Sequence, residues 1–299
     1  MLLREKGETA VEIAAAARVM RKNSVKLSRS FSGLLDTCGT GGDGRHSLNL
    51  STLSALLVSS LGVPVAKHGN RSVSSVCGSA DLLEMLGVRI DLEPEAIESS
   101  INKFGFGFFF APRFHPATRF AMPARKKIQG KTIFNLLGPL SNPAGAEIQI
   151  LGVYEEKLVK VMAEVLRDLG VSRALVVYGR DGLDEISPAA ETAAAELNNG
   201  SVETRRLDPE SFGLPRYPSL EDLRCETKEK SRALALAVLG GQAGIAQDAV
   251  CLNAAAALLL YGMVSSLKAG ALLAGRALED GRVLRHLEAI AAFTQKAVP

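Results

Sequence analysis

Residues 34–61 read LLDTCGTGGDGRHSLNLSTLSALLVSSL. The run opens on a short apolar stretch and passes through the glycine-dense turn Asp36-Thr37-Cys38-Gly39-Thr40-Gly41-Gly42-Asp43-Gly44. It then becomes a nearly uncharged segment. A strand over Gly33 to Thr37, a glycine loop and a helix over Ser51 to Leu61 are the first half of a βαβ unit. Outward from this run the same alternation recurs. Val63 to Lys67, Phe106 to Phe110, Ile148 to Tyr154, Ala174 to Tyr178 and Ser201 to Leu207 are strand candidates, while Ser75 to Leu86, Pro94 to Phe104, Glu156 to Leu169 and Leu220 to Leu239 are helix candidates. Asp248 to Lys296 is helical throughout by pattern. Pro94 suits a first helical turn, and Gly87, Gly105 and Gly170 stand where helices stop. The alternation predicts an α/β fold around a mostly parallel sheet with a helical C-terminal part.

Ile13, Ala16, Ala17 and Met20 make one apolar face of a helix over Thr9 to Arg21. The stretch Ala111 to Gly145, with Pro112, Pro116, Pro123, Pro139 and Pro143, is too long for an ordinary connection. It predicts a functional insertion or a crossing to another domain. Ser47 to Ala66 and Ala249 to Leu267 lack charge but hold serines, Asn253 and Gly262, so they read as buried helices rather than membrane spans.

Of 299 residues, 47% are apolar and 22% charged, which excludes disorder and leaves enough chain for one large core or two unequal domains. Lys plus Arg number 35 against 32 Asp plus Glu, a net +3 that argues against a nucleic-acid backbone as partner and for a small anion. Cys38, Cys77, Cys225 and Cys251 form no C-x-x-C pair and no metal spacing with His46, His68, His115 and His286. Reduced thiols, a first segment without a signal-peptide core and no membrane partner together predict a cytoplasmic protein.

Three turns carry the chemistry. In the glycine loop, residues without side chains let backbone N–H groups converge on an anion, and the next helix aims its positive end the same way. It is neither a Walker loop nor a dinucleotide fingerprint. Asn49-Leu50-Ser51-Thr52 reads either as a helix cap or, beside that loop, as hydroxyls for phosphate oxygens or a hydrated Mg²⁺. The second turn, Lys67-His68-Gly69-Asn70-Arg71-Ser72-Val73-Ser74-Ser75, gathers cations and hydroxyls at a strand's carboxyl end, where open α/β sheets bind ligands. The third holds Asp184 and Glu185 after Asp181-Gly182-Leu183. It is either an exposed acidic turn or, with the other two, a Mg²⁺ clamp for a diphosphate. Arg125, in a basic cluster, has the planar fork that suits a carboxylate.

The motifs D-T-C-G-T-G-G-D, N-L-S-T, K-H-G-N-R-S-V-S-S, G-S-A-D, L-L-G-P-L-S-N-P and D-G-L-D-E, in this order between about Leu3 and Glu288, closely resemble the anthranilate phosphoribosyltransferases of tryptophan biosynthesis. The resemblance implies transfer of 5-phosphoribosyl from phosphoribosyl diphosphate to the amine of anthranilate, releasing diphosphate. It implies a small helical domain, shortened here at its N-terminal side (residues 1–28 with about 116–145), and a large α/β domain (29–115 with 146–299). By motif match, Gly39, Gly42, Asp43, Ser47, Asn49, Leu50, Ser51, Thr52, Lys67 through Ser75 and Ser79 line the donor. Ser51, Asp184 and Glu185 hold Mg²⁺, and Gly39, Asn70 and Arg125 meet anthranilate. Because catalysis of this kind rests on positioning and electrostatics, no nucleophilic side chain or certain general base is named.

A homodimer is implied, with part of its contact in small-domain helices that lie ahead of Met1 in the family. Ser47 stands where Thr is usual, while Gln129 and Lys131 replace a usual Gly and Arg; Arg224-Cys225-Glu226-Thr227 lacks a usual glycine pair. Two other readings share the architecture: a pyrimidine nucleoside phosphorylase, whose phosphate signature differs from Lys67 to Arg71, and a non-enzymatic nucleic-acid-binding relative, against which Asp184-Glu185 and the small net charge argue.

Overall fold

A computed structural model describes residues 2–72, 76–121 and 131–297. Seven strands form one sheet in the order β3-β2-β1-β4-β5-β6-β7. Strands β1 (Leu35–Gly39), β2 (Val65–Gly69), β3 (Phe106–Phe110), β4 (Ile148–Gly152) and β5 (Arg173–Gly179) are parallel. The β6 (Thr192–Asn198) and β7 (Ser201–Leu207) hairpin continues the sheet antiparallel. The chain leaves β1 toward β2 on one side and returns as β4 on the other, so the sheet has its switch point at β1 and β4, and the loops beyond their carboxyl ends part to leave a crevice.

The α/β class and six of the strands follow the sequence pattern. β1 and β2 lie two residues later than expected, because Gly39 and Gly69 still pair in register with Gly152 and Phe110. β6 escaped the pattern: Thr-Ala-Ala-Ala-Glu-Leu-Asn has little β-branched or aromatic content, and only pairing on both sides makes it a strand. The tight turn that joins it to β7 is nevertheless written in Asn199-Gly200, both at positive φ (46° and 90°).

Twelve α-helices are described, numbered here in chain order: α1 (Leu2–Lys6), α2 (Ala10–Lys22), α3 (Leu50–Ser60), α4 (Ser79–Met85), α5 (Pro94–Phe104), α6 (Ala111–Phe114), α7 (Ile133–Leu140), α8 (Leu158–Asp168), α9 (Lys228–Leu239), α10 (Ile245–Tyr261), α11 (Leu267–Glu279) and α12 (Arg282–Lys296). The helix expected over Leu220 to Leu239 is divided. After a 3₁₀ turn at Glu221–Leu223, Arg224 bridges Ser47, and α9 begins only where the Thr227 hydroxyl accepts from the Lys230 N–H at 3.1 Å. The helix expected from Ser75 begins at Ser79.

One sheet face packs on α3 and α10, whose apolar residues from Leu50 to Val58 and from Ala249 to Leu258 are buried. That accounts for both uncharged stretches, and no described helix is long and apolar enough to cross a membrane. The other face carries α8, against which α2 (Ile13, Ala14, Ala17) and α7 (Leu136, Leu137, Leu140) bury their apolar sides in one shared core. α2, α7 and α8 therefore share one apolar core.

His286 of α12 lies against α3. The Ser59 hydroxyl donates to Leu56 O at 2.9 Å, so the His286 Nε2–H, at 3.0 Å from Ser59 Oγ, is the donor between those two side chains. Burial lowers the His286 pKa from 6.5 to about 4. The fold therefore favours neutral imidazole. Its stabilisation is complete above the unfolded pKa and is lost as pH falls from about 6.5 toward 4. Between pH 7 and 4 the wild-type unfolding free energy is expected to fall by about 1–3 kcal/mol more than that of His286→Gln; parallel urea-unfolding curves across that range would refute the linkage.

Candidate active site

Two glycines let the acidic turn rest on the sheet. A Cβ on Gly152 would fall 1.5 Å from the Asp184 carbonyl oxygen, and one on Gly39 would fall 2.5 Å from Asp184 Oδ2. With only hydrogens at the ends of β1 and β4, Asp184 drops into the crevice, and its Oδ2 accepts the Gly41 N–H at 2.9 Å. Gly41, Gly42 and Gly44 have φ of 63°, 75° and 72°, where a side chain is strained, so the turn needs these residues.

Beyond the turn, Asn49 stands at the N-cap of α3, but its side chain does not cap the helix. Its Nδ2 donates to Cys77 O at 3.0 Å instead, tying the first loop to the second. The helix end is served by Glu185, whose Oε1 accepts the Ser51 N–H at 3.0 Å, a carboxylate at the positive pole of a helix. Below lies Lys67, 1% exposed, whose Nζ donates to Thr37 O at 2.6 Å and to Ser51 Oγ at 3.4 Å. Burial pulls its pKa down, while Asp36, Cys38 and Glu185 pull it back up. Thr52 Oγ1 is buried without a partner among the described residues.

The acidic groups are crowded. Burial and then the neighbouring Asp43 raise the Asp184 pKa to about 7; burial and then Asp184 raise that of Glu185 to about 8. Asp43 Oδ2 is buried with no hydrogen-bond partner among the described residues. Three carboxylates, with one oxygen unsatisfied and two groups resisting ionisation, form an environment that calls for a cation. Among the described residues no three His, Cys, Asp or Glu make a closed metal site. Mg²⁺ requires none, since it takes one or two carboxylates and completes its shell with water and phosphate oxygens. The side chains at Ser51, Asp184 and Glu185 fit that ion.

Residues 32–284 match the family described as "Glycosyl transferase family, a/b domain". The chain is 48% identical over 294 residues to the anthranilate phosphoribosyltransferase of Desulfatibacillum aliphaticivorans, covering 98% of this chain and 87% of that one. To its counterpart in Symbiobacterium thermophilum it is 47% identical, over 99% and 86% of the two chains. The crystal structure of the Thermus thermophilus enzyme superposes with a TM-score of 0.91 at 45% identity, covering 98% and 87%. That of the Saccharomyces cerevisiae enzyme in complex with PRPP and Mg superposes at 0.87 with 29% identity, over 96% and 80%. The chain belongs to the anthranilate phosphoribosyltransferase family.

In this phosphoribosyltransferase the second loop is built differently from the row of cations its sequence suggests. Arg71 is exposed but engaged: both terminal nitrogens bond Glu84, one of them at 2.9 Å, and its guanidinium stands 5.6 Å from the Phe110 ring centre. Asp81 Oδ2 accepts from Ser72 N at 3.0 Å and Gly78 N at 2.9 Å, while its Oδ1 meets Lys228 at 2.8 Å. Ser79 Oγ donates to Asn70 O at 3.3 Å, and a Cβ on Gly69 would fall 2.2 Å from that hydroxyl. Gly39, Gly42, Asp43, Asn49, Leu50, Ser51, Thr52, Lys67, Asp184 and Glu185 thus gather at one end of the sheet, with Asn70 through Ser72 and Ser79 beside them. Ser47 faces the neighbouring Arg224 segment. Val73, Ser74, Ser75 and Arg125 lie outside the described residues.

Two features of this candidate site were not singled out from sequence. Asn142 Nδ2 donates at 2.8 Å both to Asp36 Oδ2 and to Ala66 O, fastening β1 to β2 just below the loops. The L-S-N-P motif marked the residue but not the partner. His68 and His115 stack edge-on with ring centres 5.1 Å apart. His68 Nδ1 donates to Gly138 O at 3.1 Å, and burial, then His115, lowers the His68 pKa to about 3.

The Gly152 contact sets a stability test. Gly152→Ala should cost about 3 kcal/mol, because the Asp184 backbone must move. Gly275→Ala, on α11 with nothing within 4 Å of the new methyl, should add about 0.5–1 kcal/mol. Equilibrium unfolding in guanidinium checks both, and a neutral Gly152→Ala would contradict the packing.

Proposed function

We propose that this enzyme carries out its family's reaction in the crevice beyond the carboxyl ends of β1, β2, β4 and β5. The phosphoribosyl group of phosphoribosyl diphosphate (PRPP) passes to the amino group of anthranilate, a step in making tryptophan. The donor lies along Gly39, Gly42, Asp43, Ser47, Asn49 to Thr52, Lys67 to Ser75 and Ser79. Its diphosphate sits over the glycine turn and the start of α3, where N–H groups and a helix pole favour negative charge. Ser51, Asp184 and Glu185 hold Mg²⁺, which when bound neutralises charge on the departing diphosphate. Gly39, Asn70 and Arg125 meet anthranilate.

As the bond from ribose C1 to diphosphate oxygen breaks, its electron pair leaves with diphosphate. The anthranilate nitrogen then forms the new bond to C1 and gives up a proton. The chain's part is to hold the reactants in line and to stabilise developing charge. The observation that carries this reading is the cluster of Asp43, Asp184 and Glu185 around glycine N–H groups at a helix start. The acids alone repel one another, and a Mg²⁺–diphosphate pair resolves both needs. The yeast relative's complex with PRPP and Mg supports the same pair of ligands.

We further propose a cytoplasmic homodimer. The four cysteines are buried free thiols, which suits a reducing compartment. On α2, Val11 and Val19 are 70% and 61% exposed on one face, which suits a partner helix.

Anthranilate fluorescence should change with time only when PRPP and Mg²⁺ are both present. Changing Asp184 to Asn together with Glu185 to Gln should reduce turnover at least about 100-fold. Its unfolding midpoint should change little, because relief of the carboxylate repulsion is set against loss of the charge that Glu185 lends to Lys67. A double variant with normal turnover would refute the metal assignment.

A further inference from the structure

Lys131 belongs to the segment that the resemblance places on the acceptor side, yet it faces the donor loop. Its Nζ lies 3.4 Å from the centre of the Tyr154 ring, just beyond β4. Its Cε lies 3.3 Å, and its Nζ 3.9 Å, from where a Cβ on Gly42 would stand. The missing side chain of Gly42 is therefore the space into which Lys131 reaches. The carboxylates acting on it through space are Glu155, Asp43 and Asp184. None of them makes an ion pair or hydrogen bond with it among the described residues. An ammonium has three N–H donors and no acceptor, and a tyrosine face balances its charge without taking those donors in ordinary hydrogen bonds. The arrangement is a cation held on an aromatic platform beside the glycine turn, with its hydrogens unspent among the described residues.

Resting on the donor site proposed above, we propose that Lys131 is a further donor-binding residue: its ammonium engages the diphosphate over the Gly41–Asp43 turn, and the Tyr154 ring keeps it there. A point charge suits a phosphate oxygen, whose direction of approach is less restricted than that of a carboxylate fork.

The test uses the whole enzyme with Lys131→Met and Lys131→Arg, followed by calorimetric titration of inorganic diphosphate with Mg²⁺ and by steady-state kinetics in each substrate. Lys131→Met is expected to weaken diphosphate binding and raise KM for PRPP about tenfold. KM for anthranilate and the unfolding midpoint should not change, and Lys131→Arg should keep most of the donor affinity. Tyr154→Phe should bind the donor as wild type does, and Tyr154→Leu should lose part of that affinity. Unchanged donor affinity in Lys131→Met overturns the proposal. So does tighter binding, which would mean that Lys131 only shields the acids. If wild-type enzyme binds neither diphosphate nor PRPP, the reading of the crevice itself falls, an outcome distinct from failure of Lys131 alone.

Discussion

Between β1, β2 and α3 lies an ammonium group cut off from water. Removing such a charge from solvent costs several kcal/mol unless partners replace the lost hydration. For Lys67 the partners come from separate elements: the Thr37 carbonyl on β1, the Ser51 hydroxyl on α3, and the charges of Asp36 and Glu185. Each is held by something further. Asp36 is fastened by Asn142, and Glu185 by the first turn of α3. The loops can converge because one buried cation gives them a common point of attachment.

The same economy explains why the acidic turn is tolerated. Asp184 and Glu185 crowd Asp43 in a place where ionisation is opposed, so the fold carries electrostatic repulsion beside the proposed donor site. A well-packed apolar cluster there would be more stable and would bind nothing. Gly39 and Gly152 show the same priority, since they give up side-chain packing at two strand ends to seat a carboxylate. Stability is supplied elsewhere, by the apolar layers on both sheet faces.

Much of the fold was legible in local pattern. The strand–glycine loop–helix run, the alternation after it and the uncharged helices α3 and α10 follow from periodicity, because each element must bury one apolar face or several. β6 was not legible, since an alanine-rich strand depends on its neighbours rather than on its own propensity. Nor was the break between Leu220 and Leu239, where Arg224 leaves the helical path to pair with the exit of the glycine loop. For the site, the sequence marked turns that the structure brings together, but not the partnerships within them. Arg71 read as a cation facing a ligand and is bound to Glu84. Asn49 read as one of the residues lining the donor, and its tie to Cys77 across two loops was not foreseen.

By itself, then, the sequence determined which kinds of group this enzyme brings to its chemistry: flexible glycines, hydroxyls at a helix start, a pair of adjacent carboxylates, and family membership through six ordered motifs. Their chemical types and their order along the chain are local properties, and local properties are written in the residues. Only the tertiary structure decided which groups face one another, which carboxylates share a cation-hungry space, and that Lys131 and Gly42 meet. Those relations join residues far apart in the chain, 143 positions for Gly41 with Asp184 and 106 for Asp36 with Asn142, and distance in space is set by the pairing of strands and the packing of helices, not by spacing along the chain.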